Sequence, residues 1–182
     1  MAKTLKGLPK HPAVLASPKL VAAFNGQVGN EFHASLQYTS IAAHFDAENL
    51  PELSAFFARQ ATEERQHALK FVGFIVDVGG RVEIPAVSAP KHQFGSTAEA
   101  VRLSLEWERK VTDQIYGLVE VAKAESNYIA LRFLDWFVTE QLEEITLMDQ
   151  LLSLVERAGD NLLLIEDYLS RKPMIVEGES GG

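Results

Sequence analysis

Residues 51–80 read PELSAFFARQATEERQHALKFVGFIVDVGG, and this stretch decides the fold. Pro51 suits a first helical turn and Gly79-Gly80 a stop. Alternating steps of three and four from Leu53 pick out Phe57, Gln60, Glu64, His67, Phe71, Phe74 and Val78. That line is apolar at both ends, as expected of a helix face turned into a core. At its centre stand Glu64 and, one turn on along the same face, His67. A helix that buries a carboxylate and an imidazole at mid-length needs a partner to neutralise them.

Three more stretches have the same design. Ser17-Pro18 opens one, with an N-cap residue before Pro at the first helical position. Ser96-Thr97-Ala98-Glu99 opens another as a capping box. Ser126-Asn127 ends that one and caps the next, which stops at Gly159. The predicted helices span about 18–46, 51–78, 97–125 and 128–158, followed by a shorter apolar helix over 161–171 that Pro173 ends. Residues 1–16 and 174–182 are expected to be tails. Short connections favour antiparallel neighbours. The segment 81–95, with Pro85 and Pro90, is long enough to cross the length of a bundle. The expected fold is all-α: one domain over residues 1–182, a four-helix bundle with one long crossover and a short fifth helix.

The first helix presents Phe24, Val28, Glu31, Ser35, Tyr38, Ala42 and Phe45. The third presents Val101, Ser104, Glu108, Val111, Ile115, Leu118 and Ala122. The fourth presents Leu134, Phe137, Gln141, Glu144, Met148, Leu151 and Val155. Each apolar stripe is broken near its middle by a carboxylate, so Glu31, Glu64, Glu108 and Glu144 converge at one level of an antiparallel bundle. Burying four ionised carboxylates costs several kcal/mol apiece, and each raises the pKa of the others. Two divalent cations would neutralise all four, with His67 as a neutral ligand, and this donor set suits iron or manganese. Di-metal bundles use one Glu from each of two helices and Glu-x-x-His from each of the other two. Here the fourth helix has Gln141-Leu142-Glu143-Glu144 instead, so only one metal position is expected to have a His ligand.

Composition narrows the function. The formal net charge of -8 disfavours nucleic-acid binding and suits a protein that gathers cations. The absence of cysteine removes disulfides, thiolate metal sites and iron–sulfur clusters. No apolar run approaches a membrane span, and Pro9, His11 and Pro12 interrupt any signal-peptide core, so a cytoplasmic protein is expected.

The chain resembles the bacterial ferritin family over nearly its whole length. The resemblance is carried by Asn30-Glu31-Phe32 with Tyr38, by Glu63-Glu64-Arg65-Gln66-His67, by Glu106-Trp107-Glu108-Arg109, and by the stretch from Trp136 to Glu144. Arg81-Val82-Glu83-Ile84-Pro85 looks like the crossover of actinobacterial-type ferritins. The resemblance implies a ferroxidase that stores ferric mineral in a hollow shell of about 24 subunits. It implies that Glu31, Glu64 and His67 hold a first iron, with Glu64 bridging, and that Glu108 and Glu144 hold a second. Gln141 would contact the oxygen or second-iron side. Tyr38 would hydrogen-bond at the site and could supply an electron. Glu63, Glu140 and Glu143, with Glu144, would form a third iron site on the cavity side. The helix from Asn161 to Arg171 would line the four-fold axes, although Leu162, Leu163, Leu164 and Ile165 could instead fold back onto their own bundle.

Haem is not expected. Haem-binding relatives place Met directly after the Glu of Glu-x-x-His, where this chain has Arg65, and they usually carry a second such motif. Two other readings stay open at this point. One is a di-iron peroxidase or oxidase, using dioxygen or peroxide without storing mineral. The other is a structural or DNA-coating mini-ferritin-like assembly, favoured only by Lys3, Lys6 and Lys10.

Overall fold

A computed structural model describes residues 14–172 and 174. Five helices follow in order: α1 Pro18–Ala47, α2 Pro51–Asp77, α3 Thr97–Ala124, α4 Tyr128–Ala158 and α5 Leu163–Arg171. Among the described residues there is no strand.

The helix ends follow from local chemistry. Ser17 accepts the N–H of Leu20, Ser96 that of Glu99, and Asn127 that of Ala130. The capping box at Ser96 closes one residue early: Glu99 Oε2 takes the N–H of Gly95, at 2.6 Å, rather than that of Ser96. Three helices end in the same hydrogen-bonded turn, with Asn49, Gly79 and Ser126 in the left-handed region at φ 58°, 75° and 52°. The following N–H reaches back to Phe45, Ile75 and Ala122 respectively, which meets carbonyls the helix leaves open.

α1 pairs with α2 and α3 with α4, each through a tight turn. Two apolar clusters fill the bundle, and their membership fixes helix direction. One joins the C-terminal halves of α1 and α4 to the N-terminal halves of α2 and α3. The other joins the opposite halves. Thus α1 runs with α4 and α2 with α3, which requires segment 81–95 to traverse the bundle's length. The polar layer lies between the two clusters.

A second line on α1 holds the crossover. The side-chain amide of Asn25 donates to Arg81 O (2.9 Å) and accepts from Glu83 N (2.7 Å). Gln37 does the same with both backbone groups of Lys91, at 2.9 and 2.8 Å. Between them, Pro85 lies against Gly29, and His33 Nδ1 is 3.3 Å from Ser88 O. Residues 25, 29, 33 and 37 are spaced by four, so one face of α1 carries the whole strap.

The predicted boundaries need three corrections. α5 begins at Leu163 rather than 161, because Asn161 and Leu162 form the turn that leads into it. Residues 15 and 16 do not behave as a tail. Leu15 donates to Val78 O and accepts from Asn127, and Ala16 is buried. Met174, expected in the C-terminal tail, packs against the cluster that holds the C-terminal halves of α1 and α4. The remaining tail residues lie outside those described. At the C-terminal end of α2, Ile75 is buried and Phe74 only half-buried, since the helix there advances by four from Phe71.

α5 folds back onto its own bundle. Ile165 and Leu169 are buried against α2 and α4, whereas Leu163 and Leu164 face outward.

Candidate metal centre

Glu31, Glu64, Glu108 and Glu144 come from four helices and are each at most 1% exposed. His67 is 3% exposed and Tyr38 fully buried. The stripes therefore deliver all of these side chains to one layer.

What partners the carboxylates differs from pair to pair. Gln27, one turn before Glu31, donates to Glu31 Oε1 at 2.9 Å. The Tyr38 hydroxyl donates to Glu108 Oε1. The second oxygens of Glu31 and Glu108, both oxygens of Glu64, both of Glu144, and His67 Nδ1 are buried with no hydrogen-bond partner among the described residues. Seven donor atoms are thus left open in one layer. Glu31 and Glu108 are tethered by one oxygen and offer the other, which suits terminal ligands. Glu64 and Glu144 offer both, which suits bridging or bidentate ligands. Native cores leave very few buried polar atoms unpaired, so seven together mark a site built for something else to fill.

The electrostatics agree. Burial, the largest cause, pushes the Glu64 and Glu144 carboxyls well above the usual carboxylate range, and the Glu108 charge raises both further. Glu31 is raised by burial, partly opposed by His67 and Gln27. Glu108 is pushed to about 7, again chiefly by burial, with the Tyr38 hydroxyl working against it. Burial favours neutral His67, but the carboxylates of Glu140, Glu64 and Glu31 outweigh it and hold the imidazole well above its ordinary value. Burial and the Glu108 carboxylate drive the Tyr38 phenol well above its usual range. Without cations the layer keeps protons. A divalent cation would displace them and satisfy the open oxygens.

Among the described residues two donor groups come within ligating reach. Glu31, Glu64 and His67 form one, and His67, Glu140 and Glu144 the other. The second differs from the predicted third site. Glu140 and Glu144 belong to it, whereas Glu63 and Glu143 are half-buried and outside it. Glu63 takes a hydrogen bond from Gln60. Gln141 has its side-chain oxygen occupied by the Thr112 hydroxyl at 2.8 Å, and its amide supports the charged form of Glu108. In this arrangement Gln141 positions Glu108.

Gln27 and Thr112 were not anticipated from the sequence. Each sits four residues from a buried carboxylate, Gln27 before Glu31 and Thr112 after Glu108, which is the signal that would have found them. Aromatic rings close the layer. Trp136 and Phe137 stand edge-on to His67 at 5.4 and 5.9 Å, and Phe57 lies 5.8 Å from Tyr38. They limit water and lower the local dielectric, which strengthens ion binding.

A family profile for the ferritin-like domain matches residues 21–158. The chain is 42% identical over 163 residues to ferritin BfrB of Mycobacterium tuberculosis, covering 90% of each chain. It is 37% identical over 147 residues to the bacterial non-heme ferritin of Staphylococcus aureus, covering 81% of this chain and 89% of that one. A solved structure of an open-pore ferritin from the archaeon Archaeoglobus fulgidus superimposes with a TM-score of 0.83 at 33% identity, covering 86% of this chain and 98% of that one.

Proposed function

This chain belongs to the ferritin family, and from that premise we propose that it oxidises ferrous iron in its buried carboxylate layer and stores the ferric product inside a hollow oligomeric shell. The observation that carries this reading is the set of seven open donor atoms on Glu31, Glu64, His67, Glu108 and Glu144.

In this reading iron is the substrate. Glu31, Glu64 and His67 hold the first ferrous ion, Glu108 and Glu144 the second, and Glu64 reaches both. Two ferrous ions give up two electrons, one each, and reduce dioxygen to hydrogen peroxide or peroxide to water, with two protons taken up in either case. The protein's part is to bring the ions together without water, to balance their charge with carboxylates, and to hold Glu108 through Tyr38 and Gln141. Glu63, Glu140 and Glu143, with Glu144, form a third iron site on the cavity side, with Glu140 and Glu144 within ligating reach of His67.

The shell is a homo-oligomer of about 24 copies with closed symmetry. Arg65 after Glu64 and the missing second Glu-x-x-His support a haem-free protein. No helix among the described residues is long and apolar enough to cross a membrane. A cytoplasmic protein that binds no nucleic acid fits this fact and the net charge of -8.

Stepwise addition of ferrous iron in air tests the proposal, by counting the ferric ions that stay soluble with each chain. Tens or more per chain are expected. A plateau near two would leave a di-iron redox enzyme without storage, and no uptake would make the carboxylates structural.

A further inference from the structure

The two ring nitrogens of His67 face different groups. Nδ1 lies 3.4 Å from Glu64 Oε2 and has no hydrogen-bond partner among the described residues. Nε2 lies 3.7 Å from Glu140 Oε1. Trp136 and Phe137 also stand against the ring and offer it no acceptor. Glu140 is therefore the group placed to receive a proton from Nε2. Its carboxylate, 8% exposed, also belongs to the donor group it forms with Glu144 and His67.

A neutral imidazole has one N–H and one lone pair, and the partner at one nitrogen decides which nitrogen is free. Metal-binding histidines usually donate their other N–H to a carboxylate, which fixes the tautomer and raises ligand basicity. We propose that Glu140 is a positioning residue for His67: it takes the Nε2–H so that Nδ1 is presented to the first ferrous ion, and it gives up that contact when a cation settles between Glu140 and Glu144. This rests on the assignment of Glu31, Glu64 and His67 to the first ion.

The geometry fits a contact that forms and breaks. At 3.7 Å it is longer than a made hydrogen bond, and such contacts commonly tighten when the ligand nitrogen is engaged. The Glu140 oxygen that faces Nε2 is Oε1, so a cation that takes Oε1 competes with the ring for that oxygen. A cation moving onto Glu140 leaves His67 without its acceptor and loosens the first ion. A filled first position draws Glu140 to the ring and weakens the outer position. The coupling is reciprocal, as any equilibrium between two sites must be. It would favour movement of one ion at a time out of the centre.

The test is titration of Co(II) into the assembled full-length protein, following d–d absorption to separate a site with a nitrogen ligand from one with oxygen alone. Glu140→Gln keeps an acceptor for Nε2–H but removes the charge a cation needs, and Glu140→Leu removes both. The expected result is a first Co(II) bound about 10–100-fold more weakly in Glu140→Leu, with an altered band. Glu140→Gln should hold the first Co(II) nearly as the parent does and lose only the later equivalent. If Glu140→Leu binds the first Co(II) normally, Glu140 is an ion ligand alone and the positioning role is overturned. Equal weakening in Glu140→Gln and Glu140→Leu also overturns it, because charge rather than the acceptor would be at work. Glu140→Ala replaces the Leu variant should that one fail to assemble. Glu64→Ala is the control for the underlying assignment: unchanged Co(II) binding there removes the first-ion position itself, whatever Glu140 does.

Discussion

The carboxylate of Glu166, on α5, caps the start of α2 at Glu52. Its Oε2 accepts the Glu52 N–H at 2.8 Å, and its Oε1 accepts the neighbouring Leu53 N–H at 3.0 Å. The residue in the N-cap position, Leu50, has no side chain able to do this. A half-buried anion at a helix N-terminus also meets the favourable end of the helix dipole. Glu166→Ala is therefore expected to cost about 1–3 kcal/mol and to free α5 while leaving the four long helices formed. Hydrogen exchange checks this. Amides of α5 and of the first turn of α2 should exchange faster, and unchanged protection there would mean that Ile165 and Leu169 hold α5 alone.

Gly29 lets the crossover lie close to α1. A Cβ at this position would collide with Pro85 Cγ. Gly→Ala inside a helix normally stabilises by about 1 kcal/mol through backbone entropy, but here Pro85 would have to move. Gly29→Ala should destabilise by about 1–3 kcal/mol and make segment 81–95 more sensitive to protease. Gly117→Ala on α3, where a Cβ meets nothing within 4 Å, should have the opposite sign. Paired denaturation curves decide it; two stabilising changes would show that the crossover moves aside freely.

The cation-free protein should lose stability as pH rises. Glu31, Glu64, Glu108 and Glu144 all titrate above the ordinary carboxylate value of 4.5 when folded, Glu108 at about 7. Between 4.5 and those values the folded chain holds more protons than the unfolded one, so stability falls through that window. His67 is also raised, and its contribution is present below 6.5 and lost as pH climbs through its folded value, in the same direction. Thermal unfolding of the metal-free protein should therefore shift downward from pH 5 to pH 7.5, and a divalent cation should reverse the trend because it replaces the protons. A melting temperature that rises with pH in the absence of metal would contradict the protonated layer.

The sequence revealed most where periodicity alone decides placement. Steps of three and four put Glu31, Glu64, His67, Glu108 and Glu144 on buried stripes, and all five are buried together. Helix starts at Ser17, Ser96 and Asn127 were legible because capping is local chemistry. The strap of Asn25, Gly29, His33 and Gln37 was not. Polar residues spaced by four look like a solvated face until the crossover's path is known. Helical spacing puts Gln141 on the buried face beside Glu144, but the hydrogen bond its oxygen takes from Thr112 depends on a neighbouring helix. Glu140 looked like part of an outer acidic group for a related reason: helical spacing shows its face, while its approach to His67 depends on how α2 and α4 meet. Tertiary placement decided each of these.

Glu64→Gln should separate stability from function. Both Glu64 oxygens are buried without a hydrogen-bond partner among the described residues, and burial together with the Glu108 charge resists ionisation there. A neutral amide of nearly the same shape removes that repulsion. It also gives the layer N–H donors that can reach the open oxygens of Glu31 or Glu108. The metal-free variant is expected to be more stable than the parent at pH 7.5, by about 1–3 kcal/mol, since replacing buried charge often stabilises. The same change removes an oxygen that reaches both ions, so fast ferrous oxidation should be lost and added cation should raise the melting temperature little. Glu31→Gln alters only one side of the layer and should retain one tightly bound cation per chain. The two variants compared by melting and by metal stoichiometry decide the point. If Glu64→Gln is less stable than the parent without metal, the layer is a satisfied polar core and the open oxygens are not waiting for cations.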